Sequence, residues 1–529
     1  MTSKRLYSGD WVLTSLLLDR AERFTDETAI IAMAEDLTWA DLIIRAQSVA
    51  GYLQQLGVSK GDRVATMLPS TPDYLAAWHG ILWCGAIDVP VNNEYRGLFL
   101  EHIINDAGAE VLVIAADWVP RLQGLNLHNL KHIIVAGDFD AASSFQIHAF
   151  SDALSSKAGQ LVTTDAKDTT YLMYTSGTTG AAKGVIHNNR SSINYIMPFV
   201  EGLALDDDDV CYSMFPLFHQ MGRSACTTTA IWTGTPVVLR PSFSASEFWQ
   251  DIRSTGATWM GYFGVVIALL ARQDASPDDR NHRLRRAFGA SAPRELIPEW
   301  KERFGVQLYE TYGSTEIGLG SGLGSGPPKT GTMGLPTKQL ELQIVDEFDN
   351  PLPANEIGEA VWRPRKPDTI FQGYWDRPEA TVQAWRNLWF HSGDAGLIDE
   401  DGYFIFKDRI KDSIRRRGEN ISSIMLEESV LAEPGIAECA AYAVPSEIGD
   451  TDDEVMIAVV LEDPVAFDAA ELFTNLCKTV PRHAVPRFLR LKEELPRTPT
   501  QRIQKYKLRD EGITSDSYDR ESMGIFPER

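Results

Sequence analysis

The stretch Tyr174–Val185, "YTSGTTGAAKGV", gathers five Ser, Thr and Tyr hydroxyls, three glycines and Lys183 into twelve residues. Such a mixture is poor core material, and its chemistry faces outward. Glycines let a backbone approach a ligand, hydroxyls donate to oxygens, and a lysine adds a point charge. These are the needs of a bound phosphate. The spacing is not GxxxxGK[ST], so the loop is not a Walker A loop. A mobile surface loop has a similar composition but does not account for a fixed cation among the hydroxyls. Residues 170–174, "TYLMY", read as a strand, and "VIHNNRSSINYIM" after Gly184 reads as the start of a helix. The loop is therefore expected between strand and helix.

An α/β frame must hold it. Leu42, Ile43, Ala46, Val49, Ala50, Leu53 and Leu56 fall at helical spacing, with Asp41 suited to an N-cap and Gly57 to a C-cap. Short apolar runs such as "VATMLP", "IDVPVN", "EVLVIAA", "HIIVAG", "CYSMFP" and "TPVVLR" alternate with helix-like runs at 76–87 and 264–272. That alternation implies α/β architecture with mainly parallel sheets. "GLGSGLGSGPP" (318–328) reads as a flexible loop. Its spacing is not GxGxxG and no apolar strand leads into it, which also leaves a nicotinamide oxidoreductase without its fingerprint. Beyond residue 335, "LELQIVDEFDNPLP" and "GEAVWRP" read as an antiparallel, β-rich subdomain. After the charged run "FIFKDRIKDSIRRRGENIS" (404–422), a helix, strands and another helix suggest a separate, small α+β C-terminal domain. The boundary is set near Lys411, giving domains 1–410 and 411–529. The last dozen residues are expected to be loosely ordered.

With 529 residues, two or more domains are expected, since single cores stop growing at roughly 250–300 residues. Hydrophobic residues make up 44 %, enough apolar area to fold. The net charge of −23 disfavours a general nucleic-acid binder, so any anionic ligand must be met by local cations and backbone N–H groups. Cys84, Cys211, Cys226, Cys439 and Cys477 are scattered without a CxxC pair, and read as buried apolar residues in a reducing compartment. No apolar run approaches the roughly 18 residues of a membrane span, and the N-terminus lacks a signal-peptide core. A soluble, cytoplasmic protein is expected.

"YTSGTTGAAKGV" resembles the phosphate-binding loop of the adenylate-forming superfamily: acyl-CoA synthetases, peptide-synthetase adenylation domains and luciferases. The resemblance runs from about residue 37 to 509 with the motifs in family order. "YETYGSTEIG" (309–318) looks like the nucleotide motif, "GASAP" (289–293) the adenine-flanking segment and "WFHSGDAG" (389–396) the ribose motif. "DRIKDSIRRRGENIS" resembles the hinge region and "LPRTPTQRIQKYKLR" the C-terminal catalytic motif. The general look is nearest the crotonobetaine/carnitine-CoA ligase-like branch.

The resemblance implies that an acid and ATP give an acyl-adenylate, from which a thiol, usually that of CoA, displaces AMP. Thr175, Ser176, Gly177, Thr178, Thr179 and Gly180 would hold the β- and γ-phosphates with Lys183. Thr315 would bond the α-phosphate and Glu316 would hold Mg²⁺. Gly289, Ala290 and Ser291, with Glu310, Thr311, Tyr312, Gly313 and Ser314, would surround the nucleotide. Asp394 and Arg409 would bind the ribose, and His219 would stand beside the acyl pocket and thiol channel. The small domain would be mobile, rotating about Lys411 between steps. Gly418, Glu419 and Asn420 would then line the thiol path. Arg415, Arg416 and Arg417 would meet CoA phosphates, or be no more than a solvated basic run. Phe215, Trp259, Tyr262, Phe263, Gly264, Gly289, Gly313 and Gly318 are the acyl-pocket candidates, and aromatics beside glycines favour a bulky acid.

One motif departs from the family. P-x-T-x-x-G-K becomes "PRTPTQR", with Gln501 and Arg502 at the Gly-Lys positions. Arginine keeps the charge but not the shape of the catalytic lysine. Losing one well-placed transition-state donor costs about 2.7–4 kcal/mol. Two functions stay open. Either Arg502, or Lys505 one helical turn on, does the lysine's work in a complete acyl-CoA ligase. Or adenylation is impaired or absent, and the protein turns a preformed acyl-adenylate, from a separate adenylating enzyme, into a thioester. Family habit favours the first. An adenylation enzyme loading a carrier protein is a third reading, disfavoured by the lack of an attached carrier segment. A non-catalytic scaffold predicts decay at Lys183, Glu316 or Asp394, which are in place. A homodimer is compatible with the resemblance, since dimers are common in the family.

Overall fold

Continuous apolar runs, typical of strands covered on both faces, become two seven-stranded sheets. The computed structural model describes the chain apart from residues 1–4, 140–144, 176–181, 324–325, 410–413, 418, 422, 447–452, 463–466, 497–502, 504 and 528–529, and apart from the side chains at 408, 409, 420, 424 and 506. One sheet runs Gln307–Glu310, Arg286–Ala290, Trp259–Phe263, Cys211–Ser213, Val237–Leu239, Thr28–Ile31, Leu37–Thr38, parallel except for its last pair. The other runs Gln146–Ala149, His132–Ala136, Val111–Ala115, Arg63–Met67, Ile87–Pro90, Thr169–Thr175, Lys183–Asn188, again parallel except for the last pair.

Helices cover these sheets. Trp39–Gln55 starts ahead of Asp41: the Asp41 N–H donates to Thr38 Oγ1 and the Thr38 N–H to the Asp41 carboxylate. Thr38 is thus the N-cap of a capping box and Asp41 its third helical residue. Near the phosphate-type loop the expectation is corrected. "KGVIHN" is a strand, antiparallel to Thr169–Thr175, and the helix Asn189–Gly202 begins only after the Asn188 cap. The loop therefore connects two strands of a hairpin, and no helix N-terminus follows it directly.

The β-rich subdomain forms as expected, with antiparallel strands Leu340–Val345, Gly358–Pro364, Phe390–Ile398 and Phe404–Arg409 around Trp362, Phe371 and Phe404. "GLGS" (318–321) is not loop but a strand paired with Tyr312–Ser314. The C-terminal domain carries a hairpin, Ile414–Arg416 with Glu419–Ile421, then helix Ser423–Leu431 and the sheet Ile436–Pro445, Asp453–Leu461, Phe488–Leu491, Tyr518–Asp519. Ile414, Ile421 and Leu476 share one apolar cluster with Tyr95, Phe99 and Ile103 of the large domain. The described final residues are tied down, against expectation: buried Arg520 donates from Nε to the Pro486 carbonyl at 3.0 Å. Four of the five cysteines are buried and all are free. No helix among the described residues is long and apolar enough to cross a membrane.

Candidate active site

The carboxyl ends of both parallel sheets border a cavity of about 1290 Å³. Thr175 and Lys183 face one another in register across the hairpin and both line it. Ser176, Gly177, Thr178, Thr179 and Gly180 lie outside the described residues. Gly289, Ala290, Thr311, Gly313, Ser314, Thr315, Glu316 and Asp394 line the same cavity, so most of the predicted nucleotide set comes together.

Several residues that sequence reasoning missed hold this set in place. Segment 371–375 pairs with the Lys183–Asn188 strand: Trp375 N–H donates to Gly184 O, Ile186 N–H to Gly373 O. That brings Tyr374 between two key groups. Its hydroxyl donates to Glu316 at 3.1 Å, and the Lys183 ammonium sits 5.1 Å from its ring centre. His187 donates from Nε2 to the Thr315 carbonyl at 2.7 Å. Burial pushes the His187 pKa down to about 4 despite this bond, so the ring is neutral and its tautomer is set by the carbonyl it serves. The Tyr312 hydroxyl donates to Asp394 at 2.7 Å while its ring stacks on Trp362. Tyr312 thus orients the aspartate from behind and does not line the cavity. Arg409 stands opposite Asp394 in the strand register.

Glu310 likewise works from behind. It accepts from the Tyr262 hydroxyl at 2.6 Å and from the N–H groups of Ser291 and Ala292. These bonds hold Ser291 in the left-handed region, φ 65°. Burial keeps the Glu310 carboxyl above its ordinary pKa even with these donors.

An apolar chamber opens beside the nucleotide side, lined by Tyr195, Phe199, Met221, Phe263, Phe288 and Leu319. Of the aromatic candidates only Phe263 reaches it. The pleat of Trp259–Phe263 sends Trp259 into one core and Tyr262 into another. Phe215 stands edge-on behind Phe263, ring centres 5.0 Å apart. Gly264 and Gly318 serve close approach: a Cβ there would lie 1.7 Å from the Ser291 carbonyl oxygen and 2.9 Å from the Tyr195 ring.

The C-terminal hairpin meets this cavity. Glu419 Oε1 lies 2.8 Å from His219 Nε2, and Arg415 lines the cavity wall. Arg416 does not join its neighbours. It points into the C-terminal domain, pairs with Glu454 at 2.8 Å and donates to Val485 O at 2.9 Å, because hairpin alternation puts it on the opposite face. It is unavailable to a CoA phosphate, whereas Arg417 is exposed at the turn. Lys411, Gly418 and Arg502, and the side chain of Asn420, fall outside the described residues. Lys505, the fallback for Arg502, is engaged by Glu427 at 2.6 Å and Ser423 at 2.8 Å.

Burial opposes charge on His219, but the Glu419 carboxylate and Glu94 together raise its pKa. Burial likewise opposes charge on Glu419, and His219 with His483 overrides it, lowering the carboxyl to about 2. A raised imidazole contributes fully below its ordinary pKa and loses its contribution as pH rises through the raised value. A lowered carboxyl contributes above its ordinary pKa and loses it as pH falls toward 2. Docking of the hairpin on the large domain is therefore expected to be strongest between the Glu419 range and the ordinary imidazole pKa of 6.5, and to weaken as pH rises beyond that. Energy transfer between dyes on the two domains would register this, and His219→Gln should flatten the alkaline limb. An unchanged limb in that variant would refute the assignment.

Two parallel sheets whose carboxyl ends share one cavity with a small C-terminal domain form the architecture of an adenylate-forming enzyme. The chain belongs to the AMP-binding enzyme family: the AMP-binding enzyme model matches residues 17–375 and the AMP-binding enzyme C-terminal domain model residues 425–502. It is similar to the crotonobetaine/carnitine–CoA ligase of Salmonella agona (strain SL483), 32 % identical over 512 residues covering 93 % of this chain and 97 % of the relative. Among solved structures it resembles a double mutant of the o-succinylbenzoate CoA synthetase of Bacillus subtilis bound with a product analogue, TM-score 0.81, 23 % identity, 94 % and 98 % coverage. That likeness is one of fold. It also resembles an anthranilate CoA ligase in complex with anthranoyl-AMP, TM-score 0.70, 25 % identity, 96 % and 97 % coverage. As these kinships require, the chain is an adenylate-forming enzyme of the acyl-CoA synthetase type.

Proposed function

We propose that the protein joins a bulky, largely apolar carboxylic acid to CoA through an acyl-adenylate. One observation carries this: the aromatic chamber opens into the cavity that holds Lys183, Glu316 and Asp394, and Glu419 of the C-terminal domain reaches His219 at that cavity. In the first step an acid carboxylate attacks the α-phosphorus of ATP, and the bond to pyrophosphate breaks. Lys183 and the loop before it hold the departing phosphates, Thr315 the α-phosphate, and Asp394 with Arg409 the ribose. Charge builds on the phosphoryl oxygens, and fixed cations aimed at it lower the barrier. Glu316, a hard carboxylate steadied at one oxygen by Tyr374, would hold a Mg²⁺, which would offset the negative charge of the triphosphate. In the second step the CoA sulfur attacks the acyl carbon and AMP leaves, with His219, Glu419 and Arg415 beside its approach. Such a ligase belongs in the cytoplasm, where ATP, CoA and five free thiols coexist.

A second reading has its own support. Arg502 stands where the family carries lysine, and Lys505 is tied to Glu427. Both favour an enzyme that makes the thioester well and the adenylate poorly, fed by a separate adenylating enzyme. Two assays decide. Purified protein is given benzoic, cinnamic and octanoic acids with ATP, and pyrophosphate exchange is followed. The three corresponding acyl-adenylates are then given with CoA. Brisk exchange plus thioester supports the complete ligase, and thioester without exchange the second reading. No thioester from any adenylate overturns both.

A further inference from the structure

We propose that Glu94 and His483 are positioning residues for thioester formation: a hydrogen-bonded carboxylate–imidazole contact between the two domains that seats the Glu419 hairpin against His219. This rests on the thioester step proposed above. Glu94 Oε2 lies 3.1 Å from His483 Nδ1. Glu94 belongs to the turn that follows strand Ile87–Pro90, and that turn is itself fixed. Its N–H donates to the Asn92 side chain at 2.9 Å, and the Arg121 guanidinium donates to the Asn93 carbonyl. On the other side His483 is buried, with the Tyr95 ring centre 6.3 Å from its own.

From His483 a continuous path leads to the site. Buried Arg416 donates to the carbonyls of His483 (3.4 Å) and Val485 (2.9 Å), so the hairpin hangs on the segment that Glu94 grips. Arg416 pairs directly with Glu419 in the hairpin register, and Glu419 meets His219. The domains also touch backbone to backbone nearby. A Cβ on Gly97 would lie 2.7 Å from the Thr479 carbonyl oxygen, and Gly97 has φ 51°. Each domain contributes one imidazole and one carboxylate to the path, with Arg482 also acting on Glu94. Glu94 bears on His219 and His483 on Glu419, in each case favouring the charged form. Both Glu94–His483 and Glu419–His219 cross the domain boundary, so rotating the small domain away breaks them together.

The test uses the full chain and whichever of benzoyl-, cinnamoyl- and octanoyl-adenylate the wild type converts fastest. Glu94→Gln and His483→Gln are each expected to slow single-turnover thioester formation about tenfold. The double variant should be no slower than either single one. Affinity for the adenylate, read by calorimetry, and the melting temperature should stay at wild-type values. The exchanged pair, Glu94→His with His483→Glu, should recover most of the rate. Variants as fast as wild type, an exchanged pair no better than the singles, or a rate loss matched by lost adenylate affinity each overturn the inference. Failure of the wild type to make any thioester instead overturns the function it rests on.

Discussion

An Arg223→Met variant is expected to lose about 3–5 kcal/mol of stability, the cost of leaving a buried charge without its partner. Arg223 and Asp88 are fully buried and paired through Nη2. Asp88 also accepts from Thr66 Oγ1 at 2.6 Å, and the guanidinium lies 4.1 Å from the Trp78 ring centre. The pair joins the two large sheets, since Asp88 sits on strand Ile87–Pro90 and Arg223 follows strand Cys211–Ser213. Removing the cation strands Asp88 in an apolar interior. Removing both, in Arg223→Met with Asp88→Asn, should restore most of the stability, because a buried pair gains little over a neutral, well-packed replacement. Function should not return with it. Arg223 donates from Nε to the Leu217 carbonyl at 3.0 Å, two residues before His219, and methionine cannot make that bond. It thereby shapes the turn that presents His219. Urea unfolding and thioester assays on the single and double variants would check this. A single variant as stable as wild type would remove the case.

What could be foreseen follows from how locally each feature is encoded. Parallel strands covered on both faces read as apolar runs, so most strands of both sheets were legible. "KGVIHN" was not, because its strand character is decided by pairing with Thr169–Thr175 and with segment 371–375. Motif residues such as Lys183, Glu316 and Asp394 were legible as family signatures. Tyr374 and His187 carry no such signature, and their roles exist only once distant segments pair. Tyr195 and Phe199, four apart on one helix, have the spacing of ordinary core residues, and only tertiary packing turns them toward the chamber. Tyr262 misled for the converse reason, since a strand shows its side chains alternately to opposite faces, while Trp259 shares the face of Phe263 but is buried in the core further back along the strand. The same rule would have separated Arg416 from Arg415 and Arg417 had "IRRRGENI" been recognised as a hairpin.

If adenylation is impaired, as the second reading holds, replacing Arg502 with lysine is expected to raise pyrophosphate exchange by roughly 10²–10³, the worth of one well-placed transition-state donor. The family motif P-x-T-x-x-G-K sets an ammonium at this position, and "PRTPTQR" sets a guanidinium there. The guanidinium is longer, planar and spreads its charge over a fork, so it cannot put one compact donor between the acid carboxylate and the α-phosphate. Lys505 does not relieve the deficit. Its ammonium is held by Glu427, which also accepts from the Ala441 N–H at 2.7 Å, and by Ser423. All of these belong to the C-terminal domain, so rotating that domain carries the pair along intact. Releasing Lys505 would leave Glu427 without its cation. Thioester formation from a preformed adenylate uses the other face, where Glu419 meets His219, and should change little in Arg502→Lys. The two half-reactions should therefore separate under a single substitution, one rising and the other holding level. Exchange that stays level or falls would mean that arginine already does the work, and the complete ligase would then be the function.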